Sequence, residues 1–142
     1  MNVGMEVTQK GPLFKRNSPK QIKLALKATL KELVQDGEGF LMNILRPRPN
    51  GVYLDLPPSK GGSTGNYRRN ISSIIRDKYA EINDGGVVYG PWLEGISSRN
   101  QTTKFKGYKA FRMATAEIQL KAEKTLEKHT LRMTKKLGGK RR

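Results

Sequence analysis

The chain has 142 residues, 35% of them apolar, which suits one domain with a modest core and is too few for two. It has no cysteine and one histidine, which excludes disulfides, thiolate metal sites and a cysteine nucleophile and leaves a zinc site little support. The 28 Lys and Arg against 12 Asp and Glu give a formal net charge of +16, implying an acidic partner, an oppositely charged neighbour or nucleic acid.

The opening residues, MNVGMEVTQKGPL, lack the apolar run of a secretory signal. No window approaches the ~20 apolar residues of a membrane helix. A soluble protein made in a cytoplasm, with no membrane partner, is expected.

Residues 3–9 predict a short strand, with Met5 and Val7 alternating with polar neighbours, and Gly11-Pro12 breaks it. Ser18-Pro19 is a helix start, because serine caps free amides and proline suits the first helical position. Ile22, Leu26, Leu30 and Leu33 follow at helical spacing, with Lys20, Lys23, Lys27 and Lys31 on another face. The helix is predicted over 18–36, with extension to about Leu45 as the alternative, since Gly37 and Gly39 cost about 1 kcal/mol each in a helix.

Arg46-Pro47-Arg48-Pro49-Asn50-Gly51 ends it, and Val52, Leu54 and Leu56 alternate briefly before Pro57-Pro58. Ser59, Lys60, Gly61, Gly62, Ser63 and Thr64 read as a long flexible loop. The loop lacks the Lys-Ser/Thr that follows the last glycine of a P-loop, so it is no phosphate cradle. Residues 66–75 and 79–82 predict strands. Asn83-Asp84-Gly85-Gly86 predicts a hairpin turn with Val87-Val88-Tyr89 opening the returning strand. Gly90 to Gly95 leads into a loop over 96–103. From Tyr108 the pattern is helical, with Phe111, Ala114, Ile118 and Ala122 on one stripe, ending near Leu137 before Gly138-Gly139.

The fold expected is α+β: an N-terminal helix, a small antiparallel β-sheet with a long flexible loop, and a long C-terminal helix packed on the sheet. Residues 1–137 would form the single domain and 138–142 a basic tail. No acid follows Glu127, so Lys128, Arg132, Lys135, Lys136, Lys140, Arg141 and Arg142 are the candidates for contact with DNA or an acidic partner.

His129 has no evident carboxylate or serine partner, and reads as a solvated helix residue. The carboxylates are scattered, with no pair at catalytic spacing. Glu94 is the one to watch, beside an aromatic and close to glycines. Trp92, the sole tryptophan, reads as a core anchor or as an interface residue. Trp92, Glu94, Arg99, Tyr108 and Arg112 cluster around the hairpin-to-helix junction and are the candidate subunit contacts.

Three segments, Gly65-Asn66-Tyr67-Arg68-Arg69-Asn70-Ile71, Val87-Val88-Tyr89-Gly90-Pro91-Trp92-Leu93-Glu94-Gly95 and Phe105-Lys106-Gly107-Tyr108-Lys109-Ala110-Phe111-Arg112, stand in an order that resembles the tail-completion and neck (head–tail connector) proteins of long-tailed bacteriophages. The resemblance covers about residues 20–130. It departs from the family at Leu93-Glu94-Gly95-Ile96 and at the aromatic opening of the last helix. It implies a structural virion protein with no catalysis and no cofactor. Such a protein forms a ring, a hexamer or alternatively a dodecamer, at the head–tail junction after assembly in the host cytoplasm. Neighbouring connector, tail-terminator or tail-tube proteins would be its partners, with genomic DNA in the lumen. The loop at 59–64 would fold on contact with the next protein. Rival expectations are a non-specific nucleic-acid-binding protein, a minor tail component or tail terminator, and a small RNA-directed enzyme using His129 with Glu94.

Overall fold

The computed structural model describes residues 18–47 and 64–138. The strand expected over 3–9, the alternating residues 52–56, loop residues 59–63 and tail residues 139–142 lie outside these. The described chain is α+β. Two long helices, α1 (Ser18–Ile44) and α5 (Ala110–Gly138), flank a two-stranded sheet and three single-turn helices.

Helix α1 starts at the Ser18-Pro19 signal and takes the longer of the two expected extents. It runs unbroken through both glycines, and Gly37 has a packing reason to be there. A Cβ on it would lie 2.4 Å from Ile118 Cδ1 and 2.9 Å from Ile82 Cδ1. The missing side chain admits α5 and the sheet to the same point on α1, which offsets the lost helix propensity.

The helices run antiparallel. Glu32 meets Lys128 and His129, Asp36 meets Lys121, and Gly37 meets Ile118, so rising numbers on α1 match falling numbers on α5. Leu30, Leu33, Val34 and Met133 are buried along this hairpin. Thr29 is fully buried as well, its hydroxyl donating to the Ala25 carbonyl at 2.9 Å.

Strands β1 (Ser72–Ile75) and β2 (Ala80–Asn83) pair antiparallel, from Ser72↔Asn83 to Ile75↔Ala80. A two-stranded sheet is marginal alone. Here α1 holds it. Ser73 donates to Glu38 at 3.1 Å, and Lys23 reaches Asp77 in the strand connection at 2.5 Å.

Four expectations need correction. The predicted strand over 66–75 exists only from Ser72. Residues Asn66–Asn70 form a helical turn, α2, launched by Gly65 in the left-handed region (φ 74°). Tyr67 and Ile71 are both buried while Arg69 is exposed. Spacing of four residues on a helix achieves that, whereas a strand would put all three on one face.

The Asn83–Gly86 turn forms, with Asn83 and Asp84 carboxamide and carboxylate oxygens accepting from the amides of Gly85 and Gly86 at 3.0 and 3.1 Å. It does not join two strands. Residues 87–89 turn again, Gly90 N–H to Val87 O at 2.8 Å, into α3 (Gly90–Glu94), with Pro91 in its first turn. The strands are joined instead at 76–79, closed by Arg76 N–H to Tyr79 O at 2.8 Å.

The 96–103 loop contains one helical turn, α4 (Arg99–Thr102). The last helix begins at Ala110 rather than Tyr108, because Gly107 (φ 85°) and Lys109 (φ 57°) take left-handed conformations just before it.

Leu41, Leu45, Tyr67, Ile71, Leu93, Ala110 and Ala114 form the main core. Leu41→Ala, at a fully buried position, is expected to destabilise by about 2–5 kcal/mol in urea unfolding. Leu120→Ala, at a side chain 80% exposed, is expected to change stability by less than about 0.5 kcal/mol.

Candidate functional site

The segment from α3 to the first turn of α5 is held by backbone contacts rather than by regular structure. Gly95 (φ 83°) and Gly107 (φ 85°) cross at close range. A Cβ on Gly107 would lie 2.3 Å from the Gly95 nitrogen, and one on Gly95 would lie 2.3 Å from the Lys106 oxygen. Beside the crossing, Tyr108 N–H donates to Leu93 O at 2.5 Å. Only glycine fits both the space and the dihedral.

Asn100, 4% exposed, fills the loop between the crossing strands of chain. Its amide donates to the carbonyls of Trp92 and Phe105 at 3.0 and 3.1 Å, and its oxygen accepts from Ser97 N–H at 3.0 Å. One side chain thus ties together three backbone groups of the loop, adding to the bonds that Ser97 N–H makes to Pro91 O, Trp92 O to Gly95 N–H and Phe105 O to the Thr103 hydroxyl.

Glu94 belongs to the same unit. Its Oε1 accepts the Phe111 amide at 3.0 Å and faces the Tyr67 hydroxyl at 3.5 Å. The carboxylate caps one of the free amides opening α5, where the helix dipole favours negative charge. Tyr67 has its hydroxyl pushed above the ordinary phenol range, first by burial and then by the Glu94 charge.

Aromatic rings knit the rest. Tyr67 packs on Tyr89 and Phe111 with centroids 6.4 Å apart in each pair. Trp92, Phe105 and Tyr108 follow edge-to-face at 5.6 and 5.0 Å. Arg99 sits 5.9 Å from the Trp92 ring centre. The Trp92 indole N–H is buried with no hydrogen-bond partner among the described residues.

The five residues expected at subunit contacts therefore divide. Trp92, Glu94 and Tyr108 are engaged inside this unit. Arg99 and Arg112 are exposed. Sequence reasoning passed over Val88 and Ile96, which are 95% and 69% exposed on either side of α3. An isolated aliphatic residue in a loop gives no pattern from which exposure is read. Thr64, the one described residue of the 59–64 loop, is exposed.

His129 was read as lacking a carboxylate partner, and it has one. Its Nε2 lies 2.9 Å from Glu32 Oε2, while Lys128 Nζ reaches Glu32 Oε1 at 2.5 Å. Glu32 comes from the other long helix, so no local spacing announces it. Glu94 is far away, against Phe111, some 27 Å along α5 from His129. The acid–base pair on which an RNA-directed enzyme would depend does not come together.

Among the described residues, no group of three His, Cys, Asp or Glu is placed to hold a metal ion, and no helix is long and apolar enough to cross a membrane. An apolar groove of about 280 Å³ lies between β2 and α5, floored by Leu30, Leu33 and Val34 of α1. Arg132, Lys135 and Lys136 are exposed near the end of α5. The chain matches no family model, no characterised protein and no solved structure.

Gly107→Ala is expected to lower the thermal midpoint, with a cost of several kcal/mol, because a β-carbon meets backbone at a left-handed position. Asn100→Ala should cost about 1–3 kcal/mol by removing three hydrogen bonds at a buried position. Glu32 titrates below its ordinary value, chiefly through Lys128 and then His129. Its contribution is complete above the unfolded-state value of 4.5 and is lost as pH falls through the lower folded value. The stability difference between the native chain and Glu32→Gln should therefore be present at neutral pH and vanish in acid, as read by urea midpoints across the pH series.

Proposed function

We propose that the chain is a structural adaptor at the head–tail junction of a tailed bacteriophage, forming a ring that joins the capsid connector to the tail. The observation that carries this reading is the convergence of the three segments that resemble neck and tail-completion proteins. They are separate in sequence, yet Tyr67 of the first, Tyr89 and Glu94 of the second and Phe111 of the third touch in one unit. A resemblance scattered over unrelated surface would carry little. One that coincides with an interlocked structural unit supports a shared architecture.

On this reading Trp92, Glu94 and Tyr108 set the shape of the unit, and its exposed groups make the subunit contacts. Val88 and Ile96 offer apolar area, with Arg99 and Arg112 as charged neighbours. A subunit of net charge +16 repels its copies, so ring closure requires favourable contacts of this kind or an anionic neighbour.

Light scattering on the purified protein at moderate and high salt tests the reading. A discrete ring at raised concentration is expected, and Val88→Asp with Ile96→Asp should return it to a monomer of unchanged thermal midpoint. A chain that stays monomeric under every condition, alone and beside connector and tail proteins, would overturn it in favour of a nucleic-acid-binding protein.

A further inference from the structure

The antiparallel pairing of α1 and α5 brings together two stretches that are remote in sequence and share one property. Residues 18–31 of α1 contain Lys20, Lys23, Lys27 and Lys31 and no acid. Residues 128–138 of α5 contain Lys128, Arg132, Lys135 and Lys136 and no acid. Glu32 pairs with Lys128 where the acid-free stretches meet the rest of the hairpin, so the stretches form the same end of it. All eight cations are exposed.

We propose that this end of the α1–α5 hairpin is a binding surface for duplex DNA, which it holds by its phosphate backbone without reading sequence. Five features favour that partner. The cations form rows. On α5, Lys124, Lys128, Arg132 and Lys135 recur at steps of three and four residues, along one side of the helix for about 16 Å. On α1, Lys20, Lys23, Lys27 and Lys31 do the same. Such rows suit a partner whose own charge repeats regularly along a line.

The cations are mainly lysine, a hydrated point charge that commits to no single geometry, where an evolved site for one carboxylate would favour arginine. Neither stretch contains Phe, Tyr or Trp. That removes the stacking platforms of a single-strand binder and the aromatic anchors of a protein interface. Among the described residues, Lys20, Lys31, Lys124, Arg132, Lys135 and Lys136 have no acidic partner within ion-pair range, so their charge is available. Beyond the two helices the sequence continues in the same sign, with Lys15 and Arg16 before α1 and Lys140, Arg141 and Arg142 after α5.

The inference rests on the placement of charge and not on the head–tail reading. DNA binding by a chain that never forms rings would sustain it while sinking that reading. The test is fluorescence anisotropy of a labelled duplex of about 30 base pairs with the full chain, across roughly 50–200 mM salt. Affinity should fall steeply with salt. The triple variant Lys124→Gln, Arg132→Gln, Lys135→Gln should bind at least about tenfold more weakly, with the salt slope reduced by about 2.7, or 0.9 per lost phosphate contact. The exposed residues Arg46, Arg69 and Lys104, none of them on these rows, give a control triple of equal charge change. Arg46→Gln, Arg69→Gln, Lys104→Gln should bind as the native chain does. Circular dichroism melts establish that both triples are folded. Equal losses in both triples, tighter binding to single-stranded than to duplex DNA, competition by polyglutamate as effective as by unlabelled duplex, or no binding at the lowest salt would each overturn the proposal.

Discussion

The crossing of backbone at Gly95 and Gly107 decides where α5 begins, and most of the molecule follows from that. Tyr108 is pinned to Leu93, and Lys109 then turns the chain through a left-handed residue. Glu94, one residue before the crossing, takes one of the first free amides of the new helix, that of Phe111. The start of α5 is thereby fixed in position and direction by contacts within some twenty residues. Its register against α1 is set by Ile118 entering the gap at Gly37. A shift of one residue at the crossing would rotate α5 by about 100° and replace Ala114 and Ile118 at the seam with their neighbours. Two glycines with no side chain therefore govern the packing of a helix of 29 residues.

The surplus of positive charge would be expected to loosen so small a core. The few acids are placed where they counter this. Glu32 and Asp36 lie along α1 against Lys128 and Lys121, and Asp77 anchors the strand connection to Lys23 and Lys27. Asp77 and Glu32 titrate below their ordinary values because of these lysines, chiefly Lys23 and Lys128 respectively, and Lys121 titrates above its own because of Glu117 and Asp36. Each pair is exposed, so each contributes little by itself. Their effect is directional. They neutralise charge where helices and sheet meet and leave cations unpaired toward the end of the hairpin, where a screening length of about 8 Å confines the repulsion.

Long-period patterns were legible in the sequence, and contacts between distant segments were not. The apolar stripes of α1 and α5 predicted both helices, because burial of one face imposes a period that the residues must carry. The positive φ at Gly85 and Gly86 was readable, since successive glycines after Asn-Asp have few other uses. What followed that turn was not. Val87 and Val88 have strand propensity, yet Pro91 and the burial of Leu93 draw the chain into α3. Tyr67 and Ile71 suit either period over so short a span, and the choice lay with Gly65 and with aromatic partners from two other segments. The strand connection at 76–79 has no glycine or proline to mark it. Of the candidate contacts, Glu94 stood out for its aromatic and glycine neighbours, whereas the partner it has within the chain, a backbone amide 17 residues away, leaves no mark in the sequence.

The same fold that joins the helices separates the two chemistries of the surface. Aromatic rings, the glycine crossing and the exposed aliphatics Val88 and Ile96 gather around the start of α5, with Arg99 and Arg112 exposed there too, and the acid-free rows of cations lie toward its end. Some 27 Å of helix lies between Phe111 and His129, well beyond the distance over which exposed charges act on one another. A long helix is a stiff spacer, so a partner bound at one end does not crowd a partner bound at the other. A chain with one mixed surface would force a choice between contacts with copies and contacts with a polyanion. Here the acid-free rows and the Val88 and Ile96 side chains stand toward opposite ends of α5. The separation is one of degree, since Leu24 and Leu131 are 52% and 53% exposed at the cation-rich end while Arg99 on α4 and Arg112 in the first turn of α5 are exposed at the other.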